Sequence, residues 1–432
     1  MKKTSLLFIP IFFSLLNIAV AQGMEYKELK NELTHGNLAV RIHAVQATGN
    51  LDASQAVKLL AIALEDRNWE VRQSTVIVLG KIKGEIAVGL LFDALNDANL
   101  NIVAEAARTL AGTKDPYVID RSILLMKKRD YVTQVNAIAV LGLMKHSAAV
   151  PPLIEALKDK NPSVRENAIK ALTAIKDSRA VPPLIGALKD QNYKVRANAA
   201  FALGYLGNIS ALEPLLVVMN DKKEIVRANA AAALGMLSDS RAIDFLVGAL
   251  NDPNDQVRLK ATEALGSFSD VRAVDPLIKL IHDENPTVRI NTAKALGKIA
   301  DKRALLPLIS MIQDSDMFVQ LEAILALGNF DDSRMVGPLI EALKINWYSI
   351  RYCAVQVLQK ITKQNFEADY EKWKSWWSIT KIKDDEIRRR HMYFPINSMC
   401  FRTEQETKTD EGRISELTPH SLTCATEIYV RE

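Results

Sequence analysis

Apolar residues fall in short stripes at helical spacing along most of this chain. Leu153, Ile154 and Leu157 give one stripe at i, i+1, i+4. Val164, Ala168, Leu172 and Ile175 give a second at i, i+4, i+8, i+11. Both spacings put the apolar side chains on one face of an α-helix. Pro151 and Pro152 stand where the first turn of a helix tolerates proline. The run from Asp159 to Pro162 interrupts the pattern, and Asp177-Ser178-Arg179 closes it. The pattern predicts two short helices, each with a face that a lone pair cannot bury.

The pair returns at a constant step, the one that separates Arg165 from Arg196 and Arg196 from Arg227. Val164-Arg165-Glu166-Asn167-Ala168-Ile169-Lys170-Ala171-Leu172 comes back as Val195-Arg196-Ala197-Asn198-Ala199-Ala200-Phe201-Ala202-Leu203. The arginine slot holds Arg41, Arg72, Arg165, Arg196, Arg227, Arg258, Arg289 and Arg351, with Val103, Gln134 and Gln320 in the other three units. Seven residues later stands a leucine, from Leu79 to Leu358. Six residues before the arginine slot stand Asp66, Asp97, Asp159, Asp190, Asp221, Asp252, Asp283 and Asp314. Several slots in one register, without an insertion, predict an all-α fold: an α-solenoid of about eleven repeats over residues 25–365. Stacked pairs would bury their stripes against each other as one continuous core. At helix spacings of about 8–10 Å the array is a curved rod on the order of 100 Å long.

The pattern resembles the HEAT repeat, in particular the phycobilisome-lyase-type HEAT-like repeat. The residues that carry the likeness are the aspartate slot, the Val-Arg pair six residues later, and the Ala-Leu-Gly ending at Ala202-Leu203-Gly204 and Ala264-Leu265-Gly266. The likeness implies that the second helix of each pair lines a concave face. It also implies that the ladder of Asp159, Asp190, Asp221, Asp252 and Asp283 with Arg165, Arg196, Arg227, Arg258 and Arg289 fixes the turns and the stacking. It implies no single function, because one repeat fold serves many tasks. A further likeness lies in Phe366 and Trp373-Lys374-Ser375-Trp376-Trp377, which resemble the tryptophan-rich segment that closes such arrays in some bacterial proteins. Residues 366–380 are therefore expected to cap the last open stripe.

The amino terminus changes the picture of where the protein works. Lys2 and Lys3 precede an apolar stretch from Leu6 to about Leu16, and Ala19-Val20-Ala21 offers small residues before Gln22. This is the layout of a cleavable export signal over residues 1–21. No cysteine stands at the cut to carry a lipid. The expected location is the periplasm or the outside of the cell. The formal charge is +4, and it falls to +2 because two lysines and no acid leave with the signal. A near-neutral chain lacks the basic face that nucleic acid requires. No later segment is apolar enough to span a bilayer, and a monomer is expected. Cys353, Cys400 and Cys424 are too few for a disulfide framework, though Cys400 and Cys424 could pair after export. Residues 381–432 do not keep the repeat step and read as a poorly ordered tail.

The candidate chemistry is that of binding. Phe201, Tyr205 and Met236 take slots of the second helix that hold Lys170, Glu263, Lys294 and Lys298 elsewhere. Phe201 and Tyr205 are neighbours at i, i+4. An apolar, aromatic patch on a concave surface suits a protein partner, and local packing variation is the competing reading. Asn198 and Asn229 belong to an asparagine slot with Asn136, Asn167 and Asn291. Asparagine is a poor residue in mid-helix, so the slot is expected to bond between units or to show amides to a partner. Arg179, Arg241, Arg272, Arg303 and Arg334 form a second basic row in the loops, diluted by Asp239, Asp270 and Asp301. Trp69, Tyr131, Tyr193 and Tyr348 share a slot near the turn and are expected to pack there. An enzyme on this scaffold, of lyase or metal-dependent hydroxylase type, is the alternative. The hydroxylase family holds iron with His-Glu pairs, and no such pair occurs here. His391, Cys400, His420 and Cys424 give a weak zinc pattern in the tail. No cofactor and no catalytic residue is expected.

Overall fold

The computed structural model describes residues 25–128 and 130–392. Their regular structure is helical throughout, as eleven helix pairs followed by one long helix. The first pair is residues 25–35 with Leu38–Ala47, and the last is Val336–Ala342 with Tyr348–Thr362. The expectations for residues 1–21 and 393–432, including the export signal, Cys400, Cys424 and His420, lie outside the described residues.

One unit shows why these residues form these elements. Asp177 accepts the backbone N–H of Arg179 and starts a short 3-10 turn, Ser178–Ala180. The helix Val181–Ala187 follows, with proline in its first turn, where no N–H is needed. Asn192 then caps the second helix, Tyr193–Leu206, by accepting the N–H of Lys194. Gly207, left-handed at φ 67°, ends it. Other units use Lys145, Lys176, Ser238, Ser269 or Ala300 in that left-handed place.

Each unit buries its stripes against its neighbours. Leu184, Val195, Ala199, Ala200 and Leu203 are at most 1% exposed. Second helices of successive units pack along their length, most extensively Tyr193–Leu206 on Glu224–Leu237. First helices of successive units touch far less. The second helices, which are mostly the longer of each pair, thus make the more extensive layer of contacts between units. Cys353 is buried in the helix Tyr348–Thr362.

The glycine of the Ala-Leu-Gly ending sits where two second helices meet. A Cβ on Gly204 would lie 2.6 Å from the Ala233 Cβ, and one on Gly297 2.5 Å from the Ala326 Cβ. Gly297→Val is expected to lower unfolding stability by about 2 kcal/mol, through overpacking against a backbone that cannot retreat. Gly186 also lies in a helix but has no atom within 4 Å of its would-be Cβ. Gly186→Ala should instead raise stability by about 0.5–1 kcal/mol. Urea denaturation of the two variants side by side checks both signs.

The chain turns back over the last pair. The Trp373 side chain is fully buried and meets Phe366 edge to face, with ring centroids 5.0 Å apart at 86°. Its indole N–H donates to the Glu367 carbonyl at 2.8 Å. Tyr370 donates its hydroxyl to Glu341 at 2.9 Å, and the Lys344 ammonium lies 4.3 Å from the Tyr370 ring centroid. These contacts complete a compact unit that runs through Ser375. A second unit begins at Trp376, where the Trp376 and Trp377 rings are 6.0 Å apart. The helix Tyr370–Met392 runs past residue 380, where the cap was expected to stop.

Candidate partner-binding face

The arginine and aspartate slots form a ladder that joins one unit to the next. Arg196 Nε donates to Asp221 Oδ2 at 2.6 Å and Nη2 donates to Oδ1 at 2.9 Å. Its Nη1 donates backwards to the carbonyl of Asp190 at 2.8 Å. The aspartate also accepts the N–H two residues on, from Lys223 at 2.8 Å. The same fork joins Arg41 to Asp66, Arg72 to Asp97, Arg165 to Asp190, Arg227 to Asp252, Arg258 to Asp283 and Arg289 to Asp314. Gln134 reaches Asp159 at 3.3 Å. Asp159 also gives its carbonyl to Arg165. Side chains of the seven arginine rungs are only 5–16% exposed. Two places lose arginine and aspartate together: Val103 would pair with Lys128, and Gln320, whose amide donates to the Asp314 carbonyl at 2.7 Å, with Ile345.

The ladder sets the electrostatics of the array. The bond from Arg72 brings the Asp97 carboxyl below its ordinary value, against a smaller effect of burial. For Asp221, Asp252, Asp283 and Asp314 burial is the largest single influence and acts upward. The arginine bond and the backbone N–H together outweigh it, so these carboxyls are also lowered. A carboxyl whose folded pKa is depressed stabilises the fold above its unfolded pKa of about 4 and loses that contribution as pH falls through the folded value. Stability is therefore expected to hold from neutral pH to about 5 and to drop steeply below about 4. Urea midpoints at pH 7, 5, 4 and 3 test this. A midpoint unchanged between pH 5 and 3 would sink the assignment.

The loop arginines are neutralised where they stand. Arg179, Arg241, Arg272, Arg303 and Arg334 each turn both Nε and Nη2 onto the aspartate two residues earlier. The side-chain and backbone bonds from Arg334 hold Asp332 at about 2. This row is a set of exposed pairs rather than a continuous basic track.

On the second-helix layer, Phe201 and Tyr205 stack with centroids 6.3 Å apart and planes 16° apart. Lys176, fixed in the left-handed cap of the preceding second helix, places its ammonium 4.3 Å from the Tyr205 centroid. Phe201 is 42% exposed, Tyr205 46% and Met236 46%. Met236 holds the Tyr205 slot one unit on. The sequence reading missed Ile77 and Leu143, which are exposed apolar residues in the same two slots. The signal was available, since both slots are charged in other units.

The asparagine slot does not act uniformly. Asn229 donates to the Ala197 carbonyl of the preceding unit at 2.9 Å, and Asn136 donates to the Leu95 carbonyl at 2.6 Å. Asn167 and Asn291 bond their own helix, to Ser163 and Thr287. Asn198 is half-buried, with no hydrogen-bond partner among the described residues. Trp69, Tyr131, Tyr193 and Tyr348 open their second helices with partly exposed rings, and the Lys223 ammonium in the next unit's turn lies 5.5 Å from the Tyr193 ring centroid.

The family of HEAT repeats matches residues 26–112, 119–192, 181–266 and 243–318. The chain belongs to the HEAT-repeat family. Solved structures of other HEAT-type solenoids are similar in fold. Kap95p bound to RanGDP is 14% identical with a TM-score of 0.57, over 79% of this chain and 55% of that one. Importin beta is 14% identical with a TM-score of 0.56, over 78% and 55%. The CpcE–CpcF complex of phycocyanin lyase from Nostoc sp. is 24% identical with a TM-score of 0.36, over 52% and 92%. The HEAT array here thus spans about half the length of the two karyopherins. No curated protein sequence matches the chain. Among the described residues no helix is long and apolar enough to cross a membrane.

Proposed function

We propose that this HEAT solenoid is an exported, non-enzymatic scaffold that binds a partner protein on its concave face near Phe201, Tyr205 and Met236. The observation that carries the reading is the exposed Phe201–Tyr205 stack on the second-helix layer, which the HEAT likeness puts on the concave side. Rigid aromatic rings that lose little entropy on burial are the usual anchors of protein interfaces. Kap95p, which shares the fold, was solved bound to RanGDP and in a complex with Nup1. Export rests on Lys2, Lys3, the apolar stretch and Ala19-Val20-Ala21. Intact-mass measurement of protein made in a secreting host should give a chain beginning at Gln22, and a retained Met1 would refute export.

Partner capture from an envelope extract tests the binding site. The wild type is compared with a Phe201→Asp, Tyr205→Asp variant, after circular dichroism shows equal helicity. A partner kept by the wild type and lost by the variant supports the concave patch. One kept by both puts the binding surface elsewhere. Bound iron or a bound chromophore in the purified protein would favour the enzyme instead.

A further inference from the structure

Seven arginines of the ladder hold the carboxylate of the following unit, and Arg351 holds none among the described residues. Its Nη1 donates to the Ile345 carbonyl at 2.9 Å. This is the same backward anchor, six residues away, that orients Arg72, Arg165, Arg196, Arg227, Arg258 and Arg289. The guanidinium is thus set in the rung position, and its Nε and Nη2 meet no partner among the described residues. In every other arginine rung the acceptor stands 25 residues on. For Arg351 that position is Trp376, which carries no carboxylate. At Val103 and Gln320 the array loses arginine and aspartate together. Here it keeps the arginine without the aspartate.

The surroundings leave room for the missing group. Arg351 borders an open hollow of about 420 Å³, which Tyr348, Tyr352, Gln356, Gln359 and Glu367 also line. The Tyr348 and Tyr352 rings stack at 6.1 Å, and Tyr348 is 73% exposed. A planar guanidinium fork matches a carboxylate bidentately, and the exposed rings offer area to the residues beside it.

We propose that Arg351 is an open rung that binds the aspartate side chain of a peptide segment of a partner protein. Three observations select that occupant. The other rungs all close on an aspartate that heads a turn, so the fork's geometry is matched to that group. Glu367 on the hollow's wall repels a multiply charged anion such as phosphate more strongly than a single carboxylate. A second copy stacked end to end would bring residue 35 to the aspartate slot, and that residue is His35. The open rung does not depend on the Phe201 patch.

The test uses the full chain and a dye-labelled peptide, Lys-Asp-Gln-Asn-Tyr, copied from residues 189–193 and blocked at both ends. Its aspartate is then its sole carboxylate. Fluorescence anisotropy is expected to show saturable binding that weakens about tenfold or more when the aspartate is changed to asparagine. Arg351→Lys, which keeps the charge and loses the fork, should weaken the aspartate peptide by a similar factor at unchanged helicity. If that variant fails to fold, the aspartate–asparagine comparison on the wild type decides alone. The Phe201→Asp, Tyr205→Asp protein should bind the peptide as the wild type does. Equal binding of the two peptides, or of neither, overturns the proposal. So does binding of an asparagine peptide through a free carboxyl terminus in place of the blocked aspartate peptide. A change of mass in solution on Arg351→Lys, without peptide binding, assigns the fork to a second copy and overturns it as well.

Discussion

Trp373→Ala is expected to lower the stability of the last helix pair by about 4 kcal/mol, the upper range for emptying a buried aromatic site. Trp373 is the one tryptophan of the described chain that is fully buried. It fills the end of the array with its ring edge-on to Phe366, and its N–H satisfies the Glu367 carbonyl. In a stack whose units touch only their neighbours, losing an end cap frays that end first. Hydrogen exchange should therefore speed up in Tyr348–Thr362 and leave Tyr193–Leu206 unchanged. Trp373→Phe keeps most of the volume and leaves the carbonyl unpaired, so it should cost only about 1–2 kcal/mol. Uniform acceleration along the whole array would show that the cap acts on global folding and not locally.

Asp252→Ala should cost about 3 kcal/mol, at the low end for breaking a buried ion pair because the rung is partly exposed. The aspartate side chain accepts both arms of Arg227 and the N–H of Asn254. Alanine leaves a guanidinium only 16% exposed without its anion. The double variant Arg227→Met, Asp252→Leu should lose less than Asp252→Ala alone, because no charge is then left unpaired. Asp239→Ala removes a pair only slightly longer, 2.9 Å against 2.7 Å, at an exposed loop where Arg241 is 58% exposed. It should cost far less than Asp252→Ala, because solvent screens the pair. Denaturant unfolding of these three proteins separates a ladder that holds units together from a row of surface charges.

Much of the fold was legible in the sequence because the constant step repeats chemistry as well as hydrophobicity. The asparagines, aspartates and prolines that start and stop helices sit in register, so eleven helix pairs could be counted without coordinates. The direction of the ladder was not legible. Asp190 stands six residues before Arg196 and Asp221 stands 25 after it, and both are plausible partners on spacing alone. Folding shows that Arg196 takes a carbonyl from the first and a carboxylate from the second. The asparagine slot misled for a related reason. One residue type at one helical position turns back to its own helix at Asn167 and across the unit boundary at Asn229, according to the neighbours each meets. The candidate face was legible as unusual residues in charged slots. The Lys176 ammonium over Tyr205 was not, because the left-handed cap of the preceding unit supplies it.

A rung shared between two units has a consequence for how such a gene can change length. From Arg165 to Asp314 every arginine finds its aspartate 25 residues on, and all the units have one length. Duplicating or deleting one unit's length of chain, from any starting point within that stretch, leaves each surviving arginine facing an aspartate. The inherited module is a length and has no required boundary. An unequal crossover can therefore extend or shorten the second-helix surface without leaving an unmatched charge at the splice.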